Sequence, residues 1–330
     1  MNQDTPRPDV AAFLQYLNSV PGPKMHELPP ENARAMMVMM RGVADADVGE
    51  LAVIRDLEIP ADHGTIRARL YDARERREPG PVMVFFHGGG FVIGDLDTHE
   101  PYCAETARVL DIPVVAIDYQ LAPEHPFPAA PDDCEAATRW IAAHAHELGV
   151  KATSLVLSGD SAGGNLTIVV AMALRDAPAA LPVIVQAPIY PAVDGTPEWQ
   201  SMADHSEGKL LTAEAMLYFT EAYRPELDHP RAHPLRLDHR GMPPTCLITA
   251  SLDPLRDQGR AYAARLVKAG VPVVFREAVG NIHGFITLRR GIPSSNGDVA
   301  GFLAALKPMI HEAEAERVMR EAAAGAAIAA

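Results

Sequence analysis

The sequence predicts an α/β protein with a mostly parallel central sheet of about eight strands, flanked by helices on both faces. Three observations carry that expectation. Short apolar runs rich in β-branched residues alternate with longer helical patterns from about residue 80 onward. Several of the runs, VMVFF among them, are apolar almost without interruption, as strands buried on both faces must be. The 330 residues are 48% hydrophobic and 22% charged, an ordinary globular composition with enough chain for a large core.

Residues 1–45 read as helical, with Val10, Phe13, Leu14 and Leu17 on one face and Ala33, Met36, Met37 and Met40 on another, widened by Val38 and Met39. Leu51–Ile59 and Gly64–Tyr71 alternate more strongly in polarity and are expected as antiparallel edge strands around a turn at Pro60 and Asp62-His63-Gly64. Strands are then expected at Val82–His87, Val114–Asp118, Leu155–Ser158, Val183–Gln186, Thr245–Ala250 and Val271–Ala278. Helical patterns at Asp133–Leu148, Gly163–Arg175 and Arg256–Ala269 supply right-handed crossovers between them. Residues 192–242 are irregular, polar and proline-containing around one helical pattern near Thr212–Tyr223. The expected organisation is a helical cap segment at 1–45, a main domain at 46–191 and 243–315, a cap insertion at 192–242, and a tail at 316–330 whose last residues fray.

Lys plus Arg number 29 against 43 Asp plus Glu, a formal charge of −14. That balance disfavours nucleic acid and anionic membrane as partners. No apolar signal core opens the chain and no run is long enough to span a bilayer. Cys103, Cys134 and Cys246 have no metal-type spacing and imply no disulfide framework, which fits a reducing compartment. A cytoplasmic protein without membrane insertion is expected.

The most informative segment is LVLSGDSAGGN, residues 155–165, which sets G-x-S-x-G between an apolar strand and an alanine- and valine-rich helix. Such a serine sits on a sharp strand-to-helix turn where only small neighbours fit, and the helix start directs N–H groups at the site. Upstream, His87-Gly88-Gly89-Gly90-Phe91 follows VMVFF directly, and consecutive glycines let backbone N–H groups face a developing oxyanion. A dinucleotide loop is the rival reading, but the glycines follow a histidine and open no clear helix.

Attack by a serine needs a base and a carboxylate that holds the base in one tautomer, in the chain order Ser, acid, His. Asp253 ends the apolar run Leu247–Leu252, and His283 follows the next strand. Both lie just past C-terminal strand ends, where ligand sites of open α/β sheets occur. Asp253 is also readable as the cap of a helix starting near Pro254, but chain order and position favour it as the acid. Asp257 is the rival acid, but it lies inside that helix. Most of the remaining histidines, His229 and His233 included, read as surface or loop residues.

With HGGGF at 87–91, DYQLAPEHPFPAA at 118–130, GDSAGGN at 159–165, DPLRDQG at 253–259 and HGF at 283–285, the chain resembles the hormone-sensitive-lipase family of esterases, the bacterial family IV carboxylesterases. The resemblance implies an α/β-hydrolase fold with a helical cap. It also implies a serine nucleophile at Ser161, a base at His283 and an orienting acid at Asp253. Gly88, Gly89, Gly90 and Ala162 are the implied oxyanion-hole residues, with Asp160 and Asn165 in support. The spacing of Asn165 after Ser161 places its amide near the elbow, where it either bonds backbone by the glycine loop or is an ordinary first-turn polar residue. Met37, Met40 and Phe91 are the candidate substrate-pocket residues, with packing of the methionine face against the core as the alternative reading. The resemblance further implies short- to medium-chain acyl esters as substrates, with no metal or cofactor. The expected partner is a small-molecule ester, and a homodimer is the one protein partner admitted. A ligand-binding receptor on this fold loses the histidine that this chain keeps at His283, and the sequence does not separate an esterase from an amidase. Two positions depart from the family pattern: Gln120 replaces the usual arginine and Gln258 a frequent glutamate.

Overall fold

The computed structural model, which describes residues 4–196, 198–226 and 228–329, builds its sheet from β1 (Val53–Ala61), β2 (Gly64–Asp72), β3 (Gly80–Phe86), β4 (Val114–Asp118), β5 (Ala152–Asp160), β6 (Val183–Ile189), β7 (Thr245–Ala250) and β8 (Val273–Ala278). They hydrogen-bond in the order β1-β2-β4-β3-β5-β6-β7-β8, parallel from β4 to β8. β2 runs antiparallel to both its neighbours.

The expectation that β2 is an edge strand is therefore corrected: it lies between β1 and β4, and β1 and β8 are the edges. Its polar alternation has another cause. Arg67 pairs with Asp118, while Arg69 reaches Asp56 at 2.5 Å and Asp97 at 2.7 Å, so the polar face of β2 is neutralised by ion pairs. Polar alternation marks a solvated edge and an ion-paired inner strand alike.

The helices are α1 (Pro8–Ser19), α2 (Pro30–Ala44), α3 (Glu100–Leu110), α4 (Ala129–His144), α5 (Ala162–Asp176), α6 (Gln200–His205), α7 (Ala213–Tyr223), α8 (Arg256–Lys268) and α9 (Ser295–Ala329). Strand residues alternate between two buried clusters, as the two-residue period requires. Val82, Val84 and Phe86 join residues of α4, α5 and α8 on one face, while Met83 and Phe85 join those of α3 and α9 on the other. Burial on both faces explains the uninterrupted apolar runs. α9 passes through residue 316 as one helix, so the tail continues the helix that covers the sheet. No described helix is long and apolar enough to cross a membrane. The three cysteines are buried and free.

The N-terminal helices lie beside the C-terminal strand ends and are fastened there. The Arg7 guanidinium holds Asp298 through bonds of 2.7 and 2.8 Å and donates to Val279 O, and the Arg7 N–H donates to Gly280 O. At the end of α2, Asp45 meets Arg289 at 3.0 Å with both side chains fully buried, and Arg289 also pairs with Glu105. Within α2, Ala33 is buried and Met36, Met37 and Met40 are half-buried. Val38 and Met39 do not extend that face; they are 41% and 70% exposed, because the helix turns them to solvent.

A buried ion pair is costly to break from one side, because the remaining charge stays desolvated. Asp45→Ala is expected to lower unfolding stability by about 3–5 kcal/mol. Asp47→Ala, which breaks a surface pair of Arg290 with a 92% exposed carboxylate, should cost about 0–1 kcal/mol. Urea midpoints at unchanged slope measure both.

Candidate active site

β5 ends at Asp160 and α5 begins at Ala162, so Ser161 alone makes the turn, at φ 56° and ψ −114°. A non-glycine residue rarely adopts that backbone, and it persists only when its surroundings over-determine it. Here the Ser161 N–H donates to Ile189 O at 2.9 Å, and its carbonyl accepts from Asn165 N at 3.0 Å and Ala192 N at 3.2 Å. Two residues on, a Cβ at Gly163 would fall well inside van der Waals contact with Phe86 O, so the start of α5 packs directly on the end of β3.

The side chain of Ser161 meets the residues that the sequence singled out. His283 Nε2 lies 2.9 Å from Ser161 Oγ, and His283 Nδ1 lies 2.7 Å from Asp253 Oδ2. Asp253 is fully buried, and its other oxygen accepts the Leu255 N–H at 2.8 Å. It therefore acts as turn former and histidine partner at once. With a proton on Nδ1 held toward Asp253, Nε2 is left to accept the serine proton. Asp257 points elsewhere, to Arg256, Arg260 and the Ser201 N–H. Although burial opposes it, those donors hold its carboxyl below the usual value.

Over the serine lies the glycine loop. Gly89 and Gly90 have φ of 124° and 61°, which turns their peptide groups into the site. Among the described residues, neither N–H has a protein acceptor. The Ala162 N–H opens α5 and has no carbonyl of its own helix to meet. Gly88 is a correction. Its N–H donates to Asp160 Oδ1 at 2.7 Å, so it is committed to holding the loop and cannot also receive an oxyanion.

Asp160 is buried beneath the loop. Besides the Gly88 N–H it accepts a hydrogen bond from the Tyr190 hydroxyl at 3.2 Å, and His99 Nε2 lies 3.1 Å from Oδ1. Burial alone would raise this carboxyl, but His99 and the Gly88 N–H outweigh it and hold it below the ordinary value. Tyr119 donates to His87 O at 2.7 Å and braces the same loop from the next strand end.

Asn165 is a second correction. Its amide donates to Ala192 O at 2.8 Å, in the loop after β6, and not to backbone by the glycine loop. The first turn of α5 faces the end of β6 at that point, with Gly164 against Ile189 O and Pro191. Gln258 fastens the same loop, accepting from the N–H groups of Val193 and Asp194. An amide oxygen serves there as a carboxylate would, without adding charge beside Asp194. Gln120, the other departure, donates its N–H to Asp133 and contacts His125.

A cavity of about 640 Å³ opens onto Ser161 and His283. Met37, Met40 and Phe91 all line it, together with Leu211, Met216, Phe219 and Leu255. Phe91 stacks on Tyr223 with ring centroids 3.9 Å apart, which fixes its ring as a wall. The Phe219 ring rests on Gly90, in the space that a Cβ would need. His233, read as a surface or loop residue, is buried at the cavity wall and accepts the Gly195 N–H. Sequence reading missed His99, Tyr190 and Phe219. Each acts through a long-range contact that leaves no periodic trace, although an aromatic on a helix inserted beside the strand ends is a usable signal for Phe219.

Residues 83–287 match a family model described as the alpha/beta hydrolase fold. Esterase LipI of Mycobacterium tuberculosis is 37% identical over 79% of this chain and 83% of its own length. Carboxylic ester hydrolase LipN of the same organism is 40% identical over 76% and 69%. Among solved structures, an ester-hydrolase from the metagenome of Lake Arreo superposes with a TM-score of 0.88 at 37% identity, covering 93% of this chain and 99% of that one. A thermostable esterase from Pseudomonas putida gives 0.88 at 30% identity, covering 93% and 98%.

The two acids are separable by substitution. Asp253→Asn, which favours the wrong histidine tautomer, should lower kcat by about 10⁴. Asp257→Asn should leave kcat within about threefold and lower the melting temperature instead, because Asp257 holds structure and not the base. Asp160→Asn should lower kcat by up to about 10² through misplaced oxyanion donors, with KM little changed.

Proposed function

The chain belongs to the α/β-hydrolase family, in its hormone-sensitive-lipase-like branch of carboxylesterases, and we propose that Ser161, His283 and Asp253 carry out its ester hydrolysis. It is a carboxylic ester hydrolase working through a serine acyl-enzyme. The observation that supports these residue roles is the unbroken pair of contacts, 2.9 Å and 2.7 Å, from Ser161 Oγ through His283 to a buried carboxylate. Ser161 Oγ attacks the ester carbonyl as His283 Nε2 takes its proton. The oxyanion is received by the N–H groups of Gly89, Gly90 and Ala162. His283 then protonates the departing alkoxide, and a water repeats the sequence on the acyl-enzyme to release the acid.

The cap is a further part of the proposal. Residues 1–45 and 192–242 act together, the first contributing Met37 and Met40 and the second Leu211, Met216 and Phe219 to one apolar cavity. Methionine suits a wall that adapts to acyl chains of different shape. A cavity of this size and lining fits short to medium acyl groups.

Two measurements test the reading. Ser161→Ala should abolish turnover of p-nitrophenyl butyrate with an unchanged melting curve; turnover near wild type would end the proposal. Truncating a pocket methionine should change the chain-length profile. Each buried methylene is worth about 0.8 kcal/mol, or roughly fourfold in kcat/KM. Met37→Ala or Met40→Ala should therefore shift the optimum between acetate and octanoate esters, and an identical profile would confine both residues to packing.

A further inference from the structure

The lining of the catalytic cavity does not share the charge of the chain. The sequence holds five lysines, and two of them, Lys24 and Lys209, line the cavity beside Ser161. Arg41 and Arg231 line it too, while Asp160 and Asp194 are the lining carboxylates. Asp160 is buried under the glycine loop and Asp194 is met by Arg236 and by Thr196, so neither offers a free negative charge. Arg41 and Arg231 are paired with Glu100 and Asp132. The lysines are different. Lys24 is exposed and Lys209 half-buried, which places both where the cavity meets solvent.

Lys209 makes no ion pair among the described residues. Its ammonium reaches the carbonyl of Asp204 at 3.4 Å, while one carboxylate oxygen of Asp204 accepts from Gln200 Nε2 at 2.8 Å. The backbone around it is held over the reacting histidine. Asn18 donates to Gly208 O, and Leu210 packs against Gly284, the residue after His283. Burial draws the Lys209 ammonium below its usual pKa. Asp204 attracts this cation from outside the cavity lining, and no lining carboxylate among the described residues pairs with it, so an anionic group entering the cavity meets a positive charge there.

On the reading of the site given above, we infer that the preferred esters carry an anionic group away from the scissile bond, which Lys209, with Lys24, holds at the mouth of the cavity. The general field of a chain at −14 repels such a molecule, but beyond about 10 Å that field is screened at 0.1 M salt, whereas charges lining a low-dielectric cleft act at short range. The local sign decides what enters.

The experiment compares anionic and neutral esters of similar length, with release of acid followed at constant pH. Monoethyl adipate against ethyl hexanoate places the charge on the acyl side, and 6-acetoxyhexanoate against hexyl acetate places it on the alcohol side. One anionic ester is expected to exceed its neutral counterpart by roughly five- to tenfold in kcat/KM at low salt, and that ratio should fall toward one at about 0.5 M salt. Lys209→Gln should lower the ratio at low salt, and Lys209→Glu should bring it below one. The salt dependence of the unmodified enzyme tests the inference even where a variant folds poorly. Neutral esters turned over with both ratios at or below one would overturn the anionic preference and leave the esterase reading intact. A preference that survives Lys209→Gln and high salt would overturn the role given to Lys209. Failure to hydrolyse any of the four esters would instead count against the proposed function.

Discussion

A carboxylate taken fully out of water has to be met by donors, and in this chain Asp160 imposes that condition on everything around the serine. It stands at the last position of β5, next to the strained residue, and its oxygens are met from three other segments: the glycine loop through Gly88, the start of α3 through His99, and the turn after β6 through Tyr190. Because one charge is shared among them, none can shift alone. The N–H groups of Gly89 and Gly90 are aimed because their neighbour Gly88 is anchored, and this is why a donor lost to the site is still part of how the site is built.

Most of the sheet was legible because burial on both faces writes a continuous apolar run, and β4 and β7 match the expected ranges residue for residue. β2 was misplaced because its ion-paired arginines copy the alternation of a solvated strand. The contacts among Ser161, Asp253 and His283 were also legible, since each residue follows a strand end and strand ends of a parallel sheet converge. What stayed hidden depends on angles. Whether Gly88 faces substrate or carboxylate, and whether Asn165 turns toward β3 or β6, is set by a rotation about a few bonds that residue type and spacing do not encode.

The two segments outside the alternating pattern earn their place through contact with this core. α2 enters the cavity with its methionines while Ala44 and Asp45 lock its end to residues 289–291. The inserted segment is held by Gln258 and Asp257, both at the start of α8 just beyond Asp253, through the N–H groups of Val193, Asp194 and Ser201. Wall and catalytic acid therefore share one foundation, and a change in α8 reaches both.

The bond from Arg7 to Asp298 has a consequence for how the molecule comes into being. Asp298 also accepts from Asn281 at 2.8 Å, two residues before His283, so the loop that delivers the histidine is completed by a residue near the other end of the chain. On the ribosome, Arg7 is made long before its partner, and no helix or hairpin closes that gap locally. The nucleophile turn can fold while the chain is still growing, but its base and the brace behind that base arrive more than 120 residues later. Hydrolytic competence is thus acquired late by the nascent chain, together with α9, the helix that covers one face of the sheet.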